Sequence, residues 1–367
     1  MHEKLMNRPM ELHIFNPEHD IALASNLSNF TAPHAGRQLR NDLGFLPALW
    51  AKEGDQILVE HEDSAMKAYR RVCHRLVKLG IAESLPALNP QFTATKVGVY
   101  RQETQSLQPW GWDRAIRREL ERMGFTEPLL PTEDQVAQIR QLSHRRTSAQ
   151  LLPLLQTEGT VGEAFECTTI DHVAELMQRY GRLVLKAPWS SSGRGVRFCD
   201  ATRLNDKEQI VNENWVRNVI KTQGSVMVEP YYNKVKDFGM EFEADNEGRI
   251  HYLGLSLFHT VNGAYEGNVL ATESVKTEII SRYVSGSLLD KIKQNIISRI
   301  RLNGYVGPFG VDMMVTKEGL HPCVEVNLRR TMGHVALAIS PTDDDIRGVM
   351  RVIYDGNHYK LKINKLR

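Results

Sequence analysis

The chain has 367 residues, 41% of them hydrophobic and 25% charged, which is ordinary for a globular protein with about two or three domains. A formal net charge of +2 gives no electrostatic reason to expect nucleic acid or an anionic membrane surface as a partner. The four cysteines lack zinc-ligand spacing, and no apolar run approaches the roughly 18 residues of a membrane span. The polar N-terminal segment has no apolar core of a signal peptide, so we expect a cytoplasmic protein.

The first part of the chain alternates predicted strands (residues 11–15, 56–60 and 95–100) with predicted helices (64–79 and 113–123). Such alternation predicts a parallel α/β domain. A polar loop containing Glu18, His19 and Asp20 follows the first strand, at the edge where open α/β sheets bind ligands. Two interpretations stay open: this loop contacts a substrate, or Asp20 caps the next helix while Glu18 and His19 face solvent.

A second α/β region begins after a linker at residues 127–131. Helices are predicted over 133–142, 146–155 and 171–180, and strands over 163–167 and 182–186. The last strand ends at Lys186 and runs into a serine- and glycine-rich loop that includes Ser191, Ser192, Gly193 and Gly195. The backbone N–H and hydroxyl groups of such a loop can surround a polyphosphate, with Lys186 as a point charge. A loop without any ligand can have a similar composition.

A strand predicted over 225–228 ends in a bent connection, because Pro230 fixes its φ angle and has no N–H group. Glu229 and Tyr231 flank this proline, and the bend is a candidate slot for a purine base that uses backbone groups. Asp237 begins the next predicted strand and could hold a ribose. Both acidic residues could equally be ordinary charges at strand ends.

The remaining elements surround a glycine- and asparagine-rich stretch. The sequence predicts a strand over 251–260, a mobile cover over 261–272, an amphipathic helix over 288–302 and a final helix over 343–353.

Two β-rich segments, 309–315 and 323–328, flank a turn and predict a β-hairpin. In this hairpin Asp312 is expected to lie opposite Glu325, and Asn327 shares a face with Glu325 because strand side chains alternate. Facing carboxylates repel each other unless a cation lies between them, and hard oxygen ligands of this kind suit Mg2+.

The same hairpin register places Thr316 opposite His321 near the turn. Arg329 and Arg330 follow the second strand directly, where they could receive anionic charge. The hairpin therefore predicts a site for a metal ion and phosphate.

The order of these segments resembles the ATP-grasp superfamily, the fold of D-alanine–D-alanine ligase and biotin carboxylase, over about residues 130–335. The resemblance implies an α/β (α+β) architecture, in which a Rossmann-like parallel α/β pre-ATP-grasp domain (residues 1–127) precedes the ATP-grasp fold. Residues 128–228 would form a small subdomain with the phosphate loop, and residues 229–367 a large subdomain with the metal site.

The resemblance implies ATP and Mg2+ as cofactors, with Mn2+ as an alternative metal. It assigns nucleotide binding to Lys186, Ser191, Ser192, Gly193, Gly195, Glu229, Tyr231 and Asp237, metal binding to Asp312, Glu325 and Asn327, and catalysis to Lys186 and Arg329. Arg330 has no assignment in the family pattern, and we expect it to act beside Arg329 in catalysis. The first phosphate-binding lysine of the family has no counterpart, so Arg145 or Arg146 would substitute for it.

By resemblance, the protein would be an ATP-dependent ligase that joins a carboxylate to an amine or thiol through an acyl phosphate. A kinase that phosphorylates a small molecule and a non-catalytic nucleotide-binding protein are the alternatives. The expected partners are small-molecule carboxylate and amine substrates, without nucleic acid or membrane. A homodimer is left open.

Overall fold

The computed structural model describes residues 10–82, 90–94, 104–190, 195–201, 206–261 and 264–366. Its helices are α1 (His19–Ser25), α2 (His34–Leu43), α3 (Glu62–Lys78), α4 (Arg114–Arg122), α5 (Glu133–Leu142), α6 (Arg146–Leu155), α7 (Ile170–Tyr180), α8 (Asp206–Gln223), α9 (Glu273–Ser281), α10 (Gly286–Arg299) and α11 (Met332–Ala338). Its strands are β1 (Met10–Ile14), β2 (Gln56–Val59), β3 (Gln91–Ala94), β4 (Thr104–Pro109), β5 (Phe165–Cys167), β6 (Arg182–Lys186), β7 (Val196–Asp200), β8 (Val226–Pro230), β9 (Lys234–Ala244), β10 (Ile250–Ser256), β11 (Phe258–Val261), β12 (Ala264–Leu270), β13 (Gly307–Thr316), β14 (Leu320–Asn327), β15 (Gly348–Tyr354) and β16 (Tyr359–Lys365).

The chain divides into two compact units, each made of segments that are distant in sequence. Unit 1 comprises Met1–Arg140, Gly267–Val275 and Arg329–Arg367, and unit 2 comprises Gln141–Glu266 and Lys276–Leu328. Among the described helices, none combines the length and the apolar character that crossing a membrane would require.

Unit 1 is built on a parallel sheet with the strand order β3-β2-β1-β4. Alternate residues of β2 pack on opposite faces: Ile57 joins one apolar cluster with Tyr69 of α3, whereas Leu58 joins another with Ile116 and Leu120 of α4. Helices therefore cover both faces, as a parallel sheet requires. The parallel α/β domain predicted for this region is confirmed, while the strand predicted over 95–100 lies outside the described residues.

Unit 1 also contains an antiparallel arrangement in which β15 pairs with β16 along its whole length and with the Asn268–Leu270 end of β12. The final helix predicted over 343–353 is therefore wrong. Val349, Val352 and Ile353 are β-branched, and β16 supplies cross-strand partners that a helix would not use. Part of the segment predicted as a mobile cover, 261–272, forms β12, whose residues Asn268–Leu270 pair with β15.

Unit 2 contains two antiparallel sheets, β5-β8-β6-β7 and β10-β9-β13-β14. Helices α7 and α8 pack on the first sheet through a cluster that includes Leu185 and Val228. In the second sheet, Phe242 of β9 stacks on Phe309 of β13, with ring centroids 5.3 Å apart. Helix α6 is tied to β14 because the Ser148 hydroxyl accepts a hydrogen bond from the backbone N–H of Val326.

The β13–β14 hairpin has the predicted register at one end only. Asp312 lies opposite Glu325, which confirms that prediction. Thr316 does not lie opposite His321, because the register shifts between the two ends and Met314 takes that place. The shifted segment of β14 contains Pro322, which has no N–H group to donate to a regular ladder, so a bulge forms there.

Candidate functional site

Strand β13 presents two different faces to its surroundings. Phe309, Val311 and Met313 are buried and point into the core, whereas Gly310 and Asp312 alternate with them on the other face. Asp312 is only partly buried and has Glu325 directly opposite on β14. Polar side chains therefore share the face that does not pack into the core.

The Asp312 carboxylate lies between an amide donor on β14 and a glycine on β9. The Asn327 side-chain nitrogen donates to Asp312 Oδ2 at 3.0 Å. On β9, Gly239 lies opposite Asp312, and a Cβ atom at Gly239 would lie 3.3 Å from Asp312 Oδ1 and 3.2 Å from the Val311 carbonyl oxygen. Two carboxylates and an amide form the hard oxygen donor set that Mg2+ prefers, and the glycine leaves room beside it. These residues fit the metal site that the resemblance implies.

Arg145, at the start of α6, connects this face to the loop after β6. Its Nη2 lies 2.8 Å from Glu325 Oε1, and its Nη1 donates to the Ser190 hydroxyl at 2.7 Å and to the Ala187 carbonyl. The side chain is only 8% exposed. The structure thus places a buried guanidinium between a predicted metal ligand and the predicted phosphate loop.

Arg146, the other candidate for the missing lysine, occupies a different environment. Its side chain is 46% exposed and pairs with Glu166 at 3.2 Å. Its backbone N–H donates to Nδ1 of the buried His144, whose ring packs edge-on against Trp189 at 4.6 Å. His144 therefore joins the α5–α6 turn to the segment that follows Lys186, a role that sequence reasoning missed because the contact with Trp189 is tertiary.

Lys186 and Glu229, which were predicted to act on different parts of a nucleotide, form one ion pair. Lys186 Nζ donates to the two carboxylate oxygens of Glu229 at 2.6 and 2.7 Å, and each side chain is 10% exposed. The adjacent strands β6 and β8 hold them together, with Val184 opposite Glu229. The pair brings a buried cation to the end of β6, where the phosphate loop begins.

The predicted phosphate loop is described only at its ends. Ser191, Ser192 and Gly193 lie outside the described residues. At the far end, the Gly195 carbonyl accepts a hydrogen bond from the Ala187 N–H at 2.8 Å, and a Cβ atom at Gly195 would lie 2.3 Å from the Ser190 Cβ. Only glycine fits so close an approach, so Ser190 and Gly195 lie side by side at the two described ends of the loop.

The two remaining predicted nucleotide residues lie in separate environments of unit 2. Tyr231 donates its backbone N–H to the Arg182 carbonyl, and the Arg182 guanidinium lies 3.9 Å from the centre of the Tyr231 ring. Asp237 accepts a hydrogen bond from Lys234 Nζ at 2.7 Å and lies opposite Met314 of β13. Asp237 and the half-buried Met314 therefore share the face that carries Asp312. Met314 was not predicted as a member of this face, although the alternation of β13 was the available signal for it.

His321 is unusual on this hairpin because it is a buried titratable residue whose ring makes no hydrogen bond among the described residues. It lies opposite Met314, is 1% exposed, and its two ring nitrogens have no hydrogen-bond partner among the described residues. The pKa of His321 is lowered to about 4, mainly by burial; the Glu229 carboxylate opposes this shift, and the Lys186 ammonium adds to it. His321 is therefore neutral near pH 7.

The two predicted catalytic arginines lie in unit 1. Arg329 Nε and Nη2 donate to the two carboxylate oxygens of Asp20, each at 2.8 Å. The Arg330 guanidinium lies 4.8 Å from the ring centre of Trp50. Helix α1 has Glu18 at its N-cap position without a side-chain cap, so the interpretation of Asp20 as a cap is wrong.

A second group of potential ligands in unit 1 has a structural explanation. Ligand atoms of Glu11, His13 and Asp55 lie within 4.8 Å of one another. However, Asp55 accepts hydrogen bonds from the backbone N–H groups of Glu11 at 3.1 Å and Lys52 at 2.8 Å, and from the His13 ring at 3.2 Å. These bonds fix β1 to the turn before β2.

No known protein-family model matches the sequence, and no curated protein is detectably similar to it in sequence. Solved structures do match. An N5-carboxyaminoimidazole synthetase from Staphylococcus aureus in complex with ADP is 13% identical, with 95% of this chain and 83% of that chain covered and a TM-score of 0.52. A second structure of the synthetase from that organism gives the same identity and coverage with a TM-score of 0.50. The protein therefore has the ATP-grasp fold, with a Rossmann-like parallel α/β region in its N-terminal part.

Proposed function

We propose that this protein is an ATP-dependent ligase that joins a carboxylate substrate to an amine, or to a thiol, through an acyl-phosphate intermediate. The observation that carries the proposal is the arrangement around Glu325. This residue faces Asp312 across a hairpin and lies 2.8 Å from Arg145, which in turn contacts the segment after Lys186. The predicted metal ligands and two buried cations are thereby combined in one unit of an ATP-grasp fold.

Asp312, Glu325 and Asn327 would hold Mg2+, or Mn2+ in its place. The bound metal would offset negative charge on the phosphates during transfer. Arg145 and Lys186 would bind phosphate oxygens, the first through its planar fork and the second as a point charge. The loop residues Ser191, Ser192, Gly193 and Gly195 would add backbone and hydroxyl donors.

The nucleoside would bind beside these groups in unit 2. Backbone groups of the Glu229–Tyr231 connection would recognise the base, and Asp237 would accept hydrogen bonds from the ribose. The Glu229 side chain has a separate task, because its carboxylate holds Lys186 Nζ. The S. aureus synthetase of the same fold was solved with ADP, which supports a nucleotide as the ligand.

Arg329 and Arg330 would stabilise the acyl phosphate. They follow Asn327 almost directly in the chain, and guanidinium groups bind planar anions through paired hydrogen bonds. An amine would then displace phosphate from the activated carboxylate. The described cysteines are all buried, so none offers an exposed nucleophile for a covalent route.

The proposal can be tested with purified protein and two glutamate variants of the same hairpin. Binding of MgADP is measured by calorimetry, and ATP-dependent phosphate release is screened with amino acids and short peptides, with product masses determined. We expect Glu325→Gln to lower turnover by roughly 100-fold. Glu318→Gln, in the exposed turn, is the control and should retain turnover.

Three outcomes would contradict the proposal. Wild-type protein that binds no MgADP would exclude the nucleotide site, and Glu325→Gln with normal turnover would exclude the metal site. A stable phosphorylated compound in place of a condensed product would identify a kinase.

A further inference from the structure

The Asp20 carboxylate and the Arg329 guanidinium form a two-point contact within unit 1. The Nε–Asp20 Oδ1 and Nη2–Asp20 Oδ2 distances are both 2.8 Å, and the side chains are 20% and 18% exposed. A third bond joins Arg329 Nη1 to the Arg330 carbonyl at 3.1 Å. Two parallel bonds to a carboxylate fix the plane of a guanidinium as well as its position. Arg329 is therefore oriented rather than freely rotating.

The loop that carries Asp20 is itself held by buried polar contacts. His19 is 1% exposed, and its Nδ1 lies 3.1 Å from Asp113 Oδ2. The Asn16 side-chain nitrogen donates to the Gly111 carbonyl at 2.9 Å. A Cβ atom at Gly111 would lie 2.7 Å from the His19 ring, so a glycine is needed for the ring to pack there. These contacts fix the backbone on both sides of Glu18.

Glu18, the neighbouring acid of the loop, pairs with a different arginine, Arg40. It accepts a hydrogen bond from Arg40 Nη1 at 2.9 Å, and Arg40 also contacts both oxygens of Glu119, with 3.0 Å for the Nη1 bond and 2.6 Å for the Nη2 bond. The two acids of the loop therefore form ion pairs with different arginines: Glu18 with Arg40, and Asp20 with Arg329.

We infer that Asp20 is a positioning residue for the reaction, which orients Arg329 for the acyl phosphate. This inference rests on the proposed function. Stabilisation of developing charge depends on hydrogen-bond donors that are oriented in advance. Asp20 orients Arg329, which follows β14 in the chain. The sequence suggested that the loop containing Asp20 contacts a substrate or that Asp20 caps a helix; orientation of Arg329 is a third role.

The test compares Asp20→Asn, Asp20→Glu and Arg329→Lys, with Glu119→Gln as the matched control. Glu119 also pairs with an arginine in unit 1, but that arginine is Arg40. Three quantities are measured for each protein: MgADP affinity by calorimetry, kcat and the KM for ATP, and the NMR signal of the Arg329 Nε–H group. The signal is assigned by its absence in Arg329→Lys.

We expect Asp20→Asn to lose the Nε–H signal and to lower kcat by roughly 10- to 100-fold, with the KM for ATP and the MgADP affinity within about twofold of wild type. Asp20→Glu restores part of both the signal and kcat, because it keeps the carboxylate. Glu119→Gln leaves the signal and kcat unchanged.

Persistence of the Nε–H signal in Asp20→Asn would overturn the inference, and so would an unchanged kcat. An equal loss of kcat in Glu119→Gln would also overturn it, since the effect would then be structural. Failure of the proposed function is distinguishable, because wild-type protein would then bind no MgADP while the NMR signal would still report on Asp20 and Arg329.

Discussion

The buried ion pair of Lys186 and Glu229 allows one prediction about both the unfolding free energy and the ATP-dependent turnover. Replacing Lys186 with methionine removes the cation that lies 2.6 and 2.7 Å from the two Glu229 oxygens, and leaves a carboxylate that is only 10% exposed. Breaking a buried ion pair from one side costs about 3–5 kcal/mol of unfolding free energy. The double variant Lys186→Met/Glu229→Gln removes both charges, and we expect it to recover all but about 1–2 kcal/mol of that loss.

Urea unfolding gives the free energies, and ATP-dependent phosphate release gives the activity. Both variants should lose turnover, because both lack the Lys186 cation, whereas only the single variant should lose much stability. Arg217→Gln is the control for an exposed pair and should change the unfolding free energy by less than about 0.5 kcal/mol. A single variant within about 1 kcal/mol of wild type would refute the buried pair. A double variant with normal turnover would refute the role of Lys186 at phosphate.

Three further predictions concern unit 2. The pKa of His321 is about 4 in the fold against about 6.5 in the unfolded chain, so the unfolded state binds the extra proton between these values. Stability should therefore be fully present above pH 6.5 and fall by up to about 3 kcal/mol as the pH drops to 4, and His321→Phe should lose this component of the pH dependence in urea titrations. Gly239→Val should raise the KM for MgATP about tenfold, because its side chain would crowd the Asp312 carboxylate, and an unchanged KM would remove Gly239 from the metal site. Arg145→Ala should raise the KM for ATP about tenfold while Arg146→Ala stays within about twofold, and the reverse order would identify Arg146 as the phosphate ligand.

Local patterns were sufficient for the hairpin that carries the predicted metal ligands. The pairing of Asp312 with Glu325 follows from two β-rich segments and the alternation of strand side chains. The strand that ends at Lys186 was also predicted with its observed bounds, Arg182–Lys186. These features depend on residues that are close in sequence. The bulge around Pro322 shows the limit, because one irregularity altered the register within the same hairpin.

Contacts between distant segments could not be predicted from the sequence. Asp20 and Arg329 are 309 residues apart, and neither segment contains a signal for the other. The same holds for Arg145, whose partners Ala187, Ser190 and Glu325 come from two other elements. The helix predicted over 343–353 failed for a related reason, since its apolar residues find their partners on β16.

Three of the cations proposed to bind phosphate or substrate contact an acid: Lys186 contacts Glu229, Arg145 contacts Glu325, and Arg329 contacts Asp20. A partly buried cation without such a partner costs free energy, so the acids allow these groups to remain charged and oriented in the fold. Glu229 illustrates the consequence. The sequence suggested it for its backbone at a bend, whereas the structure gives its side chain the task of holding Lys186. Substitutions of these acids therefore act on the neighbouring cation, and their effects on turnover must be read as effects on a pair.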